Sequence, residues 1–297
     1  MKKLLFTALI TAFGLIGFSQ NANKEWLDVN YADDGQVYHN LDIHLPATEQ
    51  QNYKPIIIIY GSAWFANNMK GMAFQSMGKP LLDAGFAVIS INHRSSNDAK
   101  YPAQIHDVKA AIRFVRANAD KYNLDTSFLG ITGFSSGGHL SSLAGTTNGE
   151  TNYTIGGKTI NLEGDLGNYT STSSKVDAVV DWFGPIDFDL MENCEGPKDG
   201  NSPEAAIMGG APVDNPEMTR FLSPNTFIDA NDPKFLVIHG DADNVVPHCQ
   251  SVLFSEQLKE KGLLVDFISV PKGGHGPVTF NENTFKAMVD FFLEESK

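Results

Sequence analysis

The sequence Gly133-Phe134-Ser135-Ser136-Gly137 lies between an apolar segment and a segment typical of a helix start. Residues 127–132 ahead of it contain Phe, Leu and Ile and predict a short buried strand, and residues 136–145 behind it predict a helix. A Gly-x-Ser-x-Gly motif also occurs in ordinary Gly/Ser loops. At a strand-to-helix corner, however, the glycines permit a turn too tight for side chains and hold the serine exposed. Ser135 is therefore a candidate nucleophile.

The partners that a nucleophilic serine needs follow downstream. An apolar run at 234–239 predicts a strand, and the turn after it contains Asp243. The last predicted strand, 264–270, is followed by His275 in a glycine-flanked loop. A serine hydroxyl needs a base to take its proton, and the histidine needs an acid to fix its tautomer. Ser135, Asp243 and His275 follow in the chain order of an α/β-hydrolase triad.

Each partner of Ser135 has rivals in the sequence. Asp241 lies on the same turn as Asp243, which we favour because His-Gly-x-x-Asp-x-x-Val-Pro recurs in hydrolases of this type. Five of the other seven histidines are weighed against His275. His39, His44 and His239 fall on predicted strands and are interpreted as structural. His139 and His248 begin predicted helices and are interpreted as residues that can line the site without being the base.

An oxyanion hole needs two backbone N–H donors, and the residue after the nucleophile, Ser136, is the first. The second is expected in the loop after the predicted strand 55–60. There the sequence resembles the esterase/lipase branch of the α/β-hydrolase superfamily, whose loop usually reads His-Gly-Gly-Gly-Trp. This chain has Tyr60-Gly-Ser-Ala-Trp64 instead, and because the donors are main-chain we expect Ser62, with Gly61 as the alternative.

The resemblance covers nearly all of the predicted mature chain, and its closest likeness is to secreted bacterial carbohydrate esterases of the feruloyl and acetyl-xylan esterase kind. It implies that Arg94 and Asp107 pair to hold loops beneath the site. The segment 181–187 resembles one whose aromatic side chains wall the acyl pocket. The resemblance therefore implies that Trp64, Trp182 and Phe183 bind substrate.

The start of the chain predicts export. Lys2 and Lys3 precede an apolar run from Leu4 to Phe18, and the sequence then becomes polar. This pattern is typical of a secretory signal, and the run is shorter than the roughly 20 residues that cross a bilayer. We therefore expect a signal peptide at 1–19, a single catalytic domain at 20–297, no membrane span, and a secreted or periplasmic location.

The composition restricts the class of partner. The formal net charge is −13 over 297 residues, and such acidity argues against nucleic acid, which needs a basic surface. The expected partner is a small-molecule or polysaccharide-linked ester, and the sequence leaves the oligomeric state open. No cluster with metal-ligand spacing occurs, and the chemistry needs neither a metal nor a cofactor.

The two cysteines, Cys194 and Cys249, form a disulfide candidate in an oxidising compartment, with two free thiols as the alternative. Cys194 lies in a polar loop and Cys249 lies a few residues past Asp243. A bond would therefore tie the loop above the site to the turn that carries the acid.

Alternating strands and helices predict the fold class, an α/β-hydrolase fold with a mostly parallel sheet and helices on both faces. Two stretches rich in loop-forming residues, 146–175 and 187–232, are interpreted as insertions over the active site. The predicted strands are 36–45, 55–60, 86–92, 127–132, 176–182, 234–239 and 264–270, and the predicted helices are 69–84, 102–121, 136–145, 249–262 and 281–295.

Three classes of function fit this fold. The first is a serine carboxylesterase acting on acylated plant carbohydrate, as a feruloyl or acetyl ester hydrolase. The second is a serine peptidase of the prolyl-oligopeptidase kind, whose usual large N-terminal propeller has no counterpart in the roughly 35 residues before the first predicted strand. The third is a non-catalytic binding module, against which the full set of Ser135, Asp243 and His275 argues.

Overall fold

The computed structural model describes residues 24–48, 50–149 and 151–297. The predicted signal peptide at 1–19 lies outside these residues. In the described part of the chain, no helix has both the length and the apolar character that a membrane crossing requires.

An eight-stranded sheet forms the centre of the molecule, in the order β1-β2-β4-β3-β5-β8-β9-β10. All neighbours from β4 to β10 are parallel, and β1 and β2 are added antiparallel at one edge. A separate hairpin contains β6 and β7. The strands are β1 Glu25–Asn30, β2 Asn40–His44, β3 Pro55–Ile59, β4 Ala87–Ile91, β5 Gly130–Phe134, β6 Asn152–Ile155, β7 Lys158–Asn161, β8 Ala178–Trp182, β9 Lys234–Gly240 and β10 Leu264–Val270.

Helices cover both faces of the sheet because its central strands are apolar on both sides. In β3, Ile57 and Ile59 pack with α3, α4 and α7, whereas Ile56 and Ile58 pack with α1, α2 and α8. A π-helical turn joins α1 to α2. The helices are α1 Lys70–Ala73, α2 Lys79–Asp83, α3 Ala103–Ala117, α4 Ser136–Thr146, α5 Pro203–Met208, α6 Pro216–Leu222, α7 Cys249–Glu260 and α8 Glu282–Glu295.

The first edge of the sheet differs from the prediction. The predicted strand 36–45 begins only at Asn40, because residues 37–39 form a 3-10 turn in which the His39 N–H bonds to the Gln36 carbonyl. Strand β1 is not predicted from the sequence, and it pairs with β2 through a register shift between Trp26 and Val29. A strand interrupted by such a shift loses the regular alternation that predicts strands.

The strand before Ser135 is shifted relative to the prediction. The ladder of β5 begins at Gly130 rather than at 127 and continues to Phe134, which is paired with Trp182 of β8. The chain therefore leaves the sheet directly at Ser135, at the edge where parallel strands place their carboxyl ends.

The two predicted insertions differ in position. Residues 146–175 form the β6–β7 hairpin and pack against α3, where Glu163 accepts hydrogen bonds from Arg113 and Lys109. Residues 187–232 contain α5 and α6 and contribute Lys198, Pro203 and Glu204 to a cavity beside Ser135. Among the described residues of the two insertions, only those of the second line that cavity.

Candidate active site

The turn at Ser135 has the geometry of a nucleophile elbow. Ser135 has φ 55° and ψ −126°, a backbone conformation that L-residues rarely adopt. A Cβ on Gly133 would lie 2.4 Å from the Gly137 carbonyl oxygen, and one on Gly137 would lie 2.3 Å from the Ile59 carbonyl oxygen. Both glycines are therefore required for the close approach of β5, α4 and β3 that holds Ser135 at the sheet edge.

Ser135, His275 and Asp243 form a continuous hydrogen-bonded chain. His275 Nε2 lies 2.8 Å from Ser135 Oγ, and His275 Nδ1 lies 2.7 Å from Asp243 Oδ2. Because a carboxylate only accepts, the proton of the neutral imidazole lies on Nδ1, and Nε2 is free to accept the serine proton. The three side chains thus have the geometry that general-base activation of a serine requires.

The loops that carry the acid and the base are joined to each other. The Asp241 N–H bonds to the Val270 carbonyl at 3.0 Å, and the Ala242 N–H bonds to the Gly273 carbonyl at 2.8 Å. Since β9 and β10 are adjacent and parallel, these bonds extend their pairing past the ends of the strands. They fix the distance between Asp243 and His275.

Asp243 is held in its charged form. Burial alone would raise its pKa, but hydrogen bonds from His239 and His275 and from the Val245 N–H outweigh burial and hold the pKa far below its usual value. Oδ1 accepts from the N–H groups of Val245 and Val246 at 2.8 and 3.0 Å. The carboxylate is fully buried, and both of its oxygens accept hydrogen bonds. A carboxylate held in its charged form in this way can stabilise an adjacent imidazolium.

His239 is a second histidine on the acid. Its Nε2 lies 3.3 Å from Asp243 Oδ2 and 3.1 Å from the Val246 carbonyl oxygen, and its Nδ1 lies 2.6 Å from Ser251 Oγ. Both neighbours of Nε2 accept, so that nitrogen carries a proton and helps to fix the carboxylate. His239 falls on a predicted strand and is interpreted as structural from the sequence, which does not indicate this contact with Asp243.

The rival residues lie elsewhere. Asp241 is exposed, and its carboxylate accepts from the Lys272 N–H at 2.6 Å rather than from a histidine. His248 Nε2 lies 2.9 Å from Ser269 Oγ, outside the triad. The structure therefore brings Asp243 and not Asp241 to His275.

The candidate oxyanion loop lies directly over the elbow. A Cβ on Gly61 would lie 2.7 Å from Ser135 Cβ, so the main chain passes next to the nucleophile. The Ser62 N–H donates to Ser136 Oγ at 2.8 Å, and the Ser136 N–H, at the first position of α4, has no acceptor within the helix. Ala63, which the sequence analysis did not select, has φ 49° and also lines the cavity.

Trp64 lines the cavity and is fixed by His139. The indole N–H donates to His139 Nδ1 at 3.3 Å, and His139 Nε2 donates to the Leu222 carbonyl at 2.7 Å. His139 is interpreted from the sequence as a residue that can line the site, but it is fully buried behind Trp64. Burial lowers its pKa to about 4, despite the opposing hydrogen bond to Leu222.

His139→Gln is expected to lose less stability at acid pH than at neutral pH. The folded-state pKa of about 4 lies below the unaltered value of 6.5, so the unfolded chain binds more protons between these values. Above pH 6.5, His139 therefore makes its full contribution to the free energy of unfolding of the wild type. This contribution falls as the pH falls below 6.5. In urea unfolding, the difference in the free energy of unfolding between wild type and variant should narrow by about 2 kcal/mol from pH 7.5 to pH 5. If this difference in unfolding free energy did not change with pH, the lowered pKa of His139 would be contradicted.

The predicted substrate-binding roles of Trp182 and Phe183 do not fit their positions. Trp182 is fully buried on the face of the sheet away from α4, with its ring 5.1 Å from that of Phe280. The Phe183 ring is also buried and lies 4.7 Å from the His275 ring. Trp182 belongs to the core and Phe183 supports His275, whereas Trp64 lines the cavity.

The cavity beside Ser135 has a volume of about 190 Å³. Its described lining is mostly apolar, with two charged side chains from the second insertion. The lining residues are Ala63, Trp64, Ser135, Ser136, Pro185, Lys198, Pro203, Glu204, Val245 and Val246. Within the described residues, no group of three or more His, Cys, Asp or Glu side chains is arranged to hold a metal ion.

A disulfide joins Cys194 to Cys249, which confirms the predicted bond. It connects the second insertion to the first residue of α7. The next residue, Gln250, binds backbone groups where that insertion begins: Oε1 accepts from the Ile186 and Asp187 N–H groups, and Nε2 donates to the Leu190 carbonyl. The insertion is thus fastened to the scaffold close to the turn that carries Asp243.

Loss of this bond is expected to destabilise the protein more than it affects catalysis. The cysteines are 55 residues apart, and restriction of an unfolded chain over that length is worth roughly 4 kcal/mol. The double variant Cys194→Ser/Cys249→Ser should melt roughly 8 °C lower than wild type in differential scanning calorimetry. Wild type in reductant serves as the control and should melt like the variant, and an unchanged midpoint in both would contradict the expectation.

Comparison with known proteins gives consistent matches. A sequence profile of the family described as BD-FAE matches residues 41–258. A solved structure of a truncated form of a carbohydrate esterase from gut microbiota is 59% identical, with a TM-score of 0.91 over 94% of this chain and 98% of that chain. A bifunctional GH43-CE protein of Bacteroides eggerthii is 67% identical, with a TM-score of 0.91 over 92% of this chain and 35% of that chain.

Curated relatives include an esterase of Mycobacterium tuberculosis, LipC, which is 32% identical over 74% of this chain and 52% of the relative. The chain spans about half the length of the first curated relatives that it matches. Solved esterase structures share its fold, which confirms the predicted α/β-hydrolase fold.

Proposed function

The chain belongs to the BD-FAE family of α/β-hydrolase esterases, and from this premise we propose that it is a serine carboxylesterase acting on acylated carbohydrate. The observation that carries the proposal is the hydrogen-bonded chain from Ser135 Oγ through His275 to the buried Asp243. The names of the carbohydrate esterases that it resembles support the substrate class.

In the proposed mechanism, Ser135 attacks the ester carbonyl while His275 Nε2 takes its proton. Asp243 stabilises the imidazolium that results. His275 then protonates the departing alcohol, and it next activates a water that releases the acid from the acyl-enzyme. Every proton passes through one imidazole.

The oxyanion is proposed to bind the Ser136 N–H and a second N–H from the loop at 61–63. In the free enzyme the Ser62 N–H donates to Ser136 Oγ, so it must exchange that acceptor for the substrate oxygen. Rotation of one serine side chain is sufficient for the exchange. Gly61 remains the alternative donor.

The cavity volume favours a small acyl group. At about 190 Å³ it is below the roughly 300–1,000 Å³ typical of pockets for drug-sized ligands. A cavity of this size holds an acetyl group completely. We therefore propose acetylated carbohydrate as the substrate in preference to feruloylated carbohydrate.

We also propose that the protein is exported. The signal predicted at 1–19 supports export, and so does the disulfide, since such bonds persist in oxidising compartments.

A substrate panel tests the proposed activity. The purified protein would be assayed with p-nitrophenyl acetate, acetylated xylo-oligosaccharide, methyl ferulate and a chromogenic proline peptide. We expect hydrolysis of the two acetyl esters, slower hydrolysis of methyl ferulate and no cleavage of the peptide. Cleavage of the peptide, or inactivity towards every ester, would overturn the proposal.

A further inference from the structure

Glu204 has a position that the mechanism above does not use. It is the second residue of α5, within the insertion at 187–232, and it lines the same cavity as Ser135. Its side chain is nevertheless withdrawn from solvent, since the residue is only 5% exposed. The cavity beside the nucleophile thus contains a buried carboxyl group from a different part of the chain.

One oxygen of that carboxyl group is unsatisfied. Glu204 Oε2 is buried and has no hydrogen-bond partner among the described residues. Several other described residues have buried polar atoms without a partner, but Glu204 is the one among them that lines this cavity. Buried polar atoms in proteins are nearly always paired, so an unpaired carboxyl oxygen on a residue that lines a cavity indicates that the carboxyl group takes a partner from outside.

The electrostatics agree with that interpretation. Burial raises the pKa of Glu204, and hydrogen bonds from its own backbone N–H and from the Ser202 hydroxyl, together with the charge of Lys198, offset burial only in part. Lys198 is engaged elsewhere, since its Nζ lies 2.6 Å from Glu192 Oε2. The protein's own groups therefore leave the carboxyl short of donors.

A structural role does not explain this burial. An acidic residue in the first turn stabilises a helix N-terminus, but an exposed carboxylate does so equally well. Ser202 already caps α5 by accepting from the Ala205 N–H at 3.2 Å. Neither effect requires Glu204 to lie in the cavity with an unpaired oxygen.

Ester chemistry limits what the group can bind. The two oxygens of an ester only accept hydrogen bonds, so they cannot satisfy a carboxylate, whereas a hydroxyl group both donates and accepts. We propose that Glu204 binds a hydroxyl group of the substrate and so selects hydroxyl-bearing esters, an inference that rests on the proposed esterase function. Such a hydroxyl comes either from the sugar next to the esterified position or from the ring of a hydroxycinnamoyl acyl group.

Paired substrates test the proposal on Glu204→Ala and Glu204→Gln. The sugar arm compares kcat/KM on acetylated xylo-oligosaccharide with that on p-nitrophenyl acetate. The phenol arm compares methyl 4-hydroxycinnamate with methyl cinnamate. A hydrogen bond to a charged group corresponds to roughly a 10- to 100-fold preference. Glu204→Ala should lower the preference for the hydroxylated substrate by that factor in one arm, and Glu204→Gln, which can still accept a hydrogen bond, should lower it less.

Glu195→Gln is the matched control, because Glu195 lies exposed in the same insertion outside the cavity lining, and it should leave both preferences unchanged. A fall in the sugar arm identifies the sugar hydroxyl, and a fall in the phenol arm identifies the acyl ring. The inference would be overturned if the Glu204 variants lost kcat/KM equally on the two substrates of each pair, or if they lost none.

The proposed function is tested separately on the same preparations. Hydrolysis that survives in Ser135→Ala would defeat the proposed esterase mechanism. Serine-dependent hydrolysis with unchanged preferences in the Glu204 variants would defeat only the inference about Glu204.

Discussion

Replacing Ser135 by alanine is expected to lower kcat on p-nitrophenyl acetate by about 10⁵- to 10⁶-fold, because the variant has no nucleophile to form the acyl-enzyme. The residual rate would come only from the oxyanion donors and from substrate binding. Steady-state kinetics at saturating substrate is the measurement, with circular dichroism to verify folding. A variant that keeps even a tenth of wild-type turnover would exclude Ser135 as the nucleophile.

Ser141→Ala is the matched control for this experiment. Ser141 lies on α4, the helix that begins after Ser135, and its hydroxyl donates to the Gly137 carbonyl at 2.8 Å. Ser141→Ala also removes a serine hydroxyl, but Ser141 does not line the cavity. The turnover of this variant should therefore stay within about twofold of wild type.

Ser135 and His275 should behave as a unit. His275→Ala is expected to lose about as much as Ser135→Ala, and the double variant should lose no more than either single variant, since each change alone abolishes the same step. If the loss of kcat in the double variant equalled the product of the two single losses, Ser135 and His275 would not act together in one step.

Asp243→Asn is expected to lower kcat by roughly 10⁴-fold, whereas Asp241→Asn should lower it less than tenfold. The introduced side-chain amide offers an N–H where the carboxylate accepts, which favours the imidazole tautomer with its proton on the wrong nitrogen. Asp241 is the natural control, because it lies on the same turn but bonds to the Lys272 N–H instead of a histidine. The opposite order of effects would reassign the acid.

The geometry around the triad was largely predictable because it depends on local pattern. The strand, the glycine-flanked serine and the helix start at 136 are adjacent in the chain, and the acid and the base each follow an apolar strand. In a parallel sheet, such positions meet at one edge. The arrangement of Ser135, Asp243 and His275 could therefore be expected from their order alone, before any contact was known.

The orientation of the aromatic residues could not be predicted in the same way. The strand Ala178–Trp182 is apolar at nearly every position because both faces of the sheet are covered, so its pattern does not indicate which side Trp182 faces. Phe183 follows with φ 43°, which turns the chain in a direction that the sequence does not indicate. The resemblance therefore assigned both residues to the substrate, although their rings pack into the protein.

Contacts between distant segments were also beyond the sequence. Glu204 lies about 70 residues after Ser135, in an insertion without a regular pattern, and an orphaned oxygen is recognisable only when the surrounding atoms are known. The contact between His239 and Asp243 could not be predicted for a related reason. His239 lies near the end of a buried strand, where a histidine bound to its neighbours and a histidine bound to the proposed acid Asp243 have the same sequence context.

The way in which the insertion at 187–232 is attached has a consequence for how the selectivity of the proposed esterase can change. The insertion's first residues are held by one disulfide and by the Gln250 amide. The amide binds the Ile186 and Asp187 N–H groups, which any amino acid except proline offers, and the Leu190 carbonyl, which every amino acid offers. Apart from Cys194 and the buried Met191, the side chains between Leu190 and Ser202 can therefore vary without loosening this attachment. We expect that loops of different sequence grafted between Leu190 and Ser202, with Met191 and Cys194 retained, would alter which esters are accepted while the triad stays in place.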